Sequence, residues 1–204
     1  MTGYHPQLIR LWGNTHMKER SEAQQAPAGG CTLAEGEYLR LIRRDGWEYA
    51  ERSNARCAVI SVAVTPEDRL LLVEQFRVPI NAPAIEMPAG LVGDIHSDEP
   101  IEDAAIRELE EETGWRAERV ELLMQGPTSA GMSNEIIAFA RASGLSRVGP
   151  GGGDDSEDII VHEVPRTEAA AWLFQKEKEG YAIDPKLYAG LYFVDRNPDG
   201  SSTA

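Results

Sequence analysis

Apolar and polar residues along this chain recur with two different periods, and each change of period marks an element. Residues 37–52, EYLRLIRRDGWEYAER, alternate around Asp45-Gly46, and Asp-Gly between two alternating runs predicts a β-hairpin. ARCAVISVAV (55–64) is a continuous apolar run of the buried-strand type, followed by a TPED turn. RLLLVEQFRVP (69–79) reads as a further strand, and AIEMPAGLV (84–92) as a shorter one. The period then becomes helical from about Glu99 to Thr113, with Ile101, Ala105, Ile106 and Leu109 on one side and Ala104 suited to close packing. Asp98 is placed to cap this helix, Pro100 fits its first turn and Gly114 its end. RVELLMQG (119–126) and NEIIAFARAS (134–143) predict strands joined by PTSAGMS. RVGPGGGDDSED (147–158) predicts a mobile glycine-rich acidic loop, and IIVHEVP (159–165) the next strand. A helix is expected from Thr167 to about Glu179, and a last short one over roughly 184–193. There is no internal repeat. Strands on either side of a central helix, with a second helix near the end, predict an α/β layered fold.

Composition narrows the picture without deciding it. A chain of 204 residues with 42% hydrophobic and 26% charged residues is one ordinary domain. We expect a flexible N-terminal segment over 1–36, with QQAPAGG at 24–30, a folded domain over 37–196 and a tail over 197–204. No run approaches the 18 or so apolar residues of a membrane span. The first residues lack a continuous apolar stretch, so no secretory signal is expected and a cytoplasmic location is. Cys31 and Cys57 show no CxxC spacing and are expected as free thiols. A net charge of −14 argues against nucleic acid and anionic membranes as partners. An acidic chain that binds phosphates needs metal ions or a local arginine cluster.

The segment GDIHSDEPIEDAAIRELEEETGW (93–115) supplies the metal reading. Glu108, Glu111 and Glu112 stand at i, i+3 and i+4, so a helix brings them to one face. Three carboxylates that close repel one another unless a hard cation lies between them, and oxygen donors suit Mg²⁺ or Mn²⁺. A solvated acidic face is the ordinary reading of any single Glu pair. Here about seven positions are set together, a chance match on the order of one in 10⁸ per starting position.

With Gly93, Glu99, Arg107, Glu108, Glu111, Glu112 and Gly114, these residues match a Nudix box, and residues 38–193 resemble the Nudix hydrolase family. VEQFRVP (73–79), EMPAG (86–90) and GGGDDSEDIIVHEVP (151–165) resemble its ADP-ribose pyrophosphatase branch, including GDP-mannose-hydrolysing relatives. The resemblance implies an α/β/α sandwich with a mixed sheet and N-terminal antiparallel strands. It also implies Mg²⁺-dependent hydrolysis of ADP-ribose or a related nucleoside diphosphate sugar. Two features depart from the branch. Eight residues, rather than five, separate Gly90 from Glu99, so Gly90 or Gly93 is the structural equivalent of the first box glycine. Ala130 stands where the branch often has proline.

The resemblance implies roles residue by residue. Glu112 is the first metal ligand and Glu108 the second, Glu111 shares ligation or water orientation, and the carbonyl of Ala89 completes the set. Arg107 and Glu99 orient these carboxylates. Glu157 is the loop carboxylate that acts as base or completes the metal site, with Asp155 as the alternative. Arg77 and Glu86 contact substrate or pair with each other. Trp47 and Tyr49 stack on a base, or belong to core or dimer interface. His96 and His162 are bystanders. A homodimer acting on a small nucleotide is expected. A GDP-mannose-type hydrolase, favoured by the GGG loop and Asp98-Glu99-Pro100, and a non-catalytic nucleotide-binding module are the alternatives.

Overall fold

The structure, a computed structural model, describes residues 30–153 and 157–203. Most of the expected N-terminal segment and Asp155 lie outside the described residues. The chain divides into two units.

The first unit takes the chain through Ala58 with Leu91–Pro100 and Met124–Ala138. Its antiparallel sheet runs in the order β1 (Gly30–Glu35), β2 (Leu39–Arg44), β3 (Trp47–Arg52). The hairpin expected at Asp45-Gly46 forms, with both residues at positive φ (52° and 82°), as the tight turn between twisted strands requires. Ion pairs Arg40–Glu51 at 3.3 Å and Arg43–Glu48 at 2.6 Å cross the β2–β3 ladder. In this unit the Arg56 guanidinium donates to the Glu99 carbonyl, and the Arg56 backbone N–H donates to the carbonyl of Val92 at 2.9 Å.

The second unit comprises Val59–Gly90, Ile101–Leu123 and Phe139–Ala204. Its sheet runs β12 (Ile160–Pro165), β5 (Arg69–Arg77), β6 (Ala82–Glu86), β13 (Ala182–Ile183). β12, β5 and β6 are antiparallel and β13 joins β6 in parallel, so the sheet is mixed. Helix α1 (Ile101–Thr113) lies on one face, where Leu109 meets Leu71 of β5 in a buried cluster with Ala63, Trp115, Ala117, Ala142 and Leu145. On the opposite face, Trp172 of α2 (Ala169–Lys178) stands against His162 of β12, ring centroids 4.9 Å apart. Helix, sheet and helix therefore form the expected sandwich. Truncating Leu109, fully buried at its centre, would cost about 2–5 kcal/mol. A third helix, α3 (Lys186–Asp195), buries Leu187 and Phe193. A two-stranded ladder pairs β8 (Trp115–Arg116) with β11 (Ser146–Arg147). Strands β4 (Cys57–Ala63), β7 (Ala89–Val92), β9 (Arg119–Pro127) and β10 (Ile136–Ser143) make a further sheet in the order β7-β4-β10-β9, each passing from one unit to the other.

Three expectations change. The strand expected over 84–92 is two strands, because Pro88 has no N–H for a ladder and the chain changes sheets there. Its carbonyl instead accepts the Ser61 N–H at 2.8 Å. Helix α1 begins at Ile101, just after Pro100, rather than at Glu99. The glycine-rich loop is tied to α1 along Val148–Gly153 and is not free there. Among the described residues no helix is long and apolar enough to cross a membrane.

Candidate active site

The last two turns of α1, the start of β7 and the β5–β6 pair place the box glutamates and their neighbours. Glu112 is buried, 2% exposed, whereas Glu108 is partly buried and Glu111 has a side chain 47% exposed. The expected convergence is thus graded from core to solvent. The Glu112 carboxylate accepts the Ala89 N–H at 3.0 Å. Arg107 Nη1 donates to Glu108 at 2.9 Å and to Glu111 at 3.2 Å, so one guanidinium bridges two box carboxylates as expected of a positioning arginine.

Gly90 and Gly93 differ in what they do. A Cβ on Gly90 would lie 1.8 Å from the Glu108 carboxyl carbon, so glycine is required for β7 to lie against that side chain. Gly93 has a positive φ of 86°, and its N–H approaches Glu99 Oε2 at 3.5 Å, the outer limit of a hydrogen bond. Gly90 is therefore the glycine that meets α1, while Gly93 shapes the inserted turn.

Arg77 and Glu86 pair across the β5–β6 ladder, Arg77 Nε donating to Glu86 Oε1 at 2.9 Å and Nη2 to the other carboxylate oxygen. This fork, with weaker help from Glu112 and Glu157, holds the guanidinium above its usual pKa. Glu157 is exposed, and its charge acts on Glu112 and Arg77 alike. Trp47, 65% exposed on β3, and Tyr49 belong to the other unit. Arg44 stands 5.9 Å over the Tyr49 ring. His162, expected as a bystander, pairs with Glu74 at 2.9 Å on the sheet face turned to α2.

Burial pushes the Glu112 carboxyl up to about 9, opposed by the Ala89 N–H and Arg77 and reinforced by Glu108 and Glu157. These are hard oxygen donors with too little positive charge between them. Among the described residues, no three acidic, histidine or cysteine side chains already form a ligand cluster. The donor chemistry nonetheless fits a divalent cation, which would offset the burial, and the lesser repulsion from Glu108 and Glu157, that raise Glu112.

The close fit at the end of α1 has no counterpart in the sequence reading. Gly152 and Gly153 donate their N–H groups to the carbonyls of Glu112 (2.8 Å) and Glu111 (3.1 Å). Val148 and Gly149 donate to the Gly114 carbonyl at 2.8 and 3.1 Å. The final carbonyls of the helix are thereby satisfied by a loop rather than by water. The signal in the sequence was the glycine run itself, read there as part of a mobile loop.

The NUDIX domain family model matches residues 55–187. A methanol dehydrogenase activator of Bacillus methanolicus is 39% identical over 137 residues, covering 67% of this chain and 71% of the relative. An ADP-ribose pyrophosphatase of Bacillus subtilis is 35% identical over 131 residues, covering 62% and 69%. A GDP-mannose pyrophosphatase of Citrobacter koseri is 36% identical over 172 residues, covering 80% and 82%. A crystal structure of an ADP compounds hydrolase superposes with a TM-score of 0.60 over 81% of this chain and 89% of that one. At 19% identity that likeness is one of fold.

Proposed function

The chain belongs to the Nudix family, hydrolases of pyrophosphate bonds, and on that footing we propose that it hydrolyses ADP-ribose or a related nucleoside diphosphate sugar, releasing a nucleoside monophosphate and a sugar phosphate. The observation that carries this reading is the buried Glu112 carboxylate, raised beside Glu108 and Glu157 and held by the N–H of Ala89. Glu108, Glu111, Glu112 and the Ala89 carbonyl would hold Mg²⁺, which when bound neutralises charge on the phosphate oxygens and lowers the pKa of water.

The remaining steps belong to the chain's own residues. Arg107 keeps Glu108 and Glu111 oriented. Glu157 takes a proton from the attacking water as its oxygen bonds to phosphorus and the P–O–P bridge breaks. Glu86 holds the Arg77 guanidinium in place, so its exposed side can meet a phosphate or ribose oxygen. Trp47 is assigned to stacking on the base. The acidic surface would be offset at the site by Arg77 and a bound cation.

A GDP-mannose-type activity is the second reading, favoured by a relative of that name that covers most of this chain. Steady-state kcat/KM on ADP-ribose and on GDP-mannose with Mg²⁺ decides between them, and turnover of neither would overturn the substrate assignment. A purely regulatory binding module has no use for a carboxylate buried beside Glu108. We further assign a homodimer formed through the N-terminal strands, where Leu39 and Leu41 stand exposed on one face of β2.

A further inference from the structure

Gly151, Gly152 and Gly153 all have positive φ (72°, 116° and 84°), but each faces something different. A Cβ on Gly151 would strike the backbone of α1, 2.4 Å from the carbonyl carbon of Thr113. One on Gly152 would find nothing nearer than the Ile159 carbonyl oxygen at 3.9 Å. One on Gly153 would lie 2.6 Å from Glu157 Oε2 and 2.7 Å from its Cβ. The Gly152 carbonyl also accepts the N–H of Ile159, two residues beyond Glu157, at 3.2 Å.

We propose that Gly153 is a positioning residue for Glu157: its N–H fastens the loop to the Glu111 carbonyl, and its bare Cα leaves the space in which the Glu157 side chain lies. The same peptide groups that carry Glu111 and Glu112 thereby set where Glu157 begins its reach. The run is an anchor whose third glycine seats a carboxylate. This inference rests on the assignment of Glu157 as the base.

The test compares Gly153→Ala, Gly152→Ala, Glu157→Gln and the double variant Gly153→Ala/Glu157→Gln. Turnover of ADP-ribose with Mg²⁺ is read beside the affinity for α,β-methylene ADP-ribose and the thermal midpoint. Gly153→Ala should lower kcat at least about tenfold, with analogue affinity held within about threefold. Gly152→Ala, whose φ of 116° suits alanine no better but whose Cβ would meet open space, should lose less than about threefold. The double variant should be no slower than Glu157→Gln, because Gly153 acts only through that carboxylate. If Glu157→Gln alone retains full turnover, the base assignment fails and this inference with it. If Glu157→Gln is impaired but Gly153→Ala is not, or its loss persists undiminished in the double variant, positioning by Gly153 is overturned while the base stands. Should Gly153→Ala not fold, Glu157→Gly makes room for the added methyl. Recovery of the fold in Gly153→Ala/Glu157→Gly supports the contact, and failure to recover it overturns it.

Discussion

Because Glu112 lies buried with Glu108 and Glu157 acting on it, its charge is costly until a cation arrives, and this dictates how the chain answers to pH. The folded carboxyl titrates at about 9, well above an ordinary glutamate. Between those values the folded chain holds a proton that the unfolded chain has released. The contribution of Glu112 is therefore fully present in acid and is lost as pH rises toward about 9. Without metal, the thermal midpoint of Glu112→Gln should exceed that of the wild type by more at about pH 8 than at about pH 5. Mg²⁺ should narrow that gap at the higher pH by stabilising the wild type more than the variant, by up to about 2.7 kcal/mol at a concentration a hundredfold above Kd. In the same variant kcat should fall at least about 10²-fold with the fold retained. Turnover within about threefold of wild type at saturating Mg²⁺ would remove Glu112 from the ligand set.

At the scale of elements, the end of α1 and the loop after β11 are one assembly. A Cβ on Gly114 would sit 2.2 Å from the Gly149 carbonyl oxygen, and one on Gly151 would meet the helix backbone. Neither neighbour is a flexible side chain, so neither clash can be relieved without moving the peptides that bear Glu111 and Glu112. Gly151→Ala should cost about 2–4 kcal/mol, the sum of left-handed strain and a lost helix-end hydrogen bond. Denaturant midpoints of Gly151→Ala and Gly152→Ala, side by side, check this. Equal and small losses would show that the loop yields and does not hold the helix end.

At the scale of the molecule, the assigned dimer is the feature with the plainest readout. Leu39 and Leu41 leave a pair of large apolar side chains open on β2. Light scattering should report twice the chain mass of 22.4 kDa, and Leu39→Glu/Leu41→Glu should halve it. A wild-type monomer at micromolar concentration would discard the assignment.

Much of this architecture was legible in the chain because its causes are local. Alternation around Asp45-Gly46 produced the β2–β3 hairpin, since a turn needing two positive φ values selects those residues. Helical spacing turned Leu109 inward and set Glu108, Glu111 and Glu112 within a turn of one another, which is a property of any helix. The family likeness rested on the same short spacings. What the chain could not declare depends on groups far apart in sequence. Glu112 is buried and Glu111 is open because β7 and β5 approach one flank of α1, and Ala89 reaches Glu112 across 23 positions. Gly90 and Gly93 both satisfied a pattern, and only the approach of Glu108 distinguished them. The Gly151–Gly153 run looked like part of a mobile loop because positive φ suits mobile segments and tight contacts equally. Sequence determines that such a backbone is permitted, but only the folded neighbours, here α1 and Glu157, decide whether the permitted freedom is used for motion or for close approach.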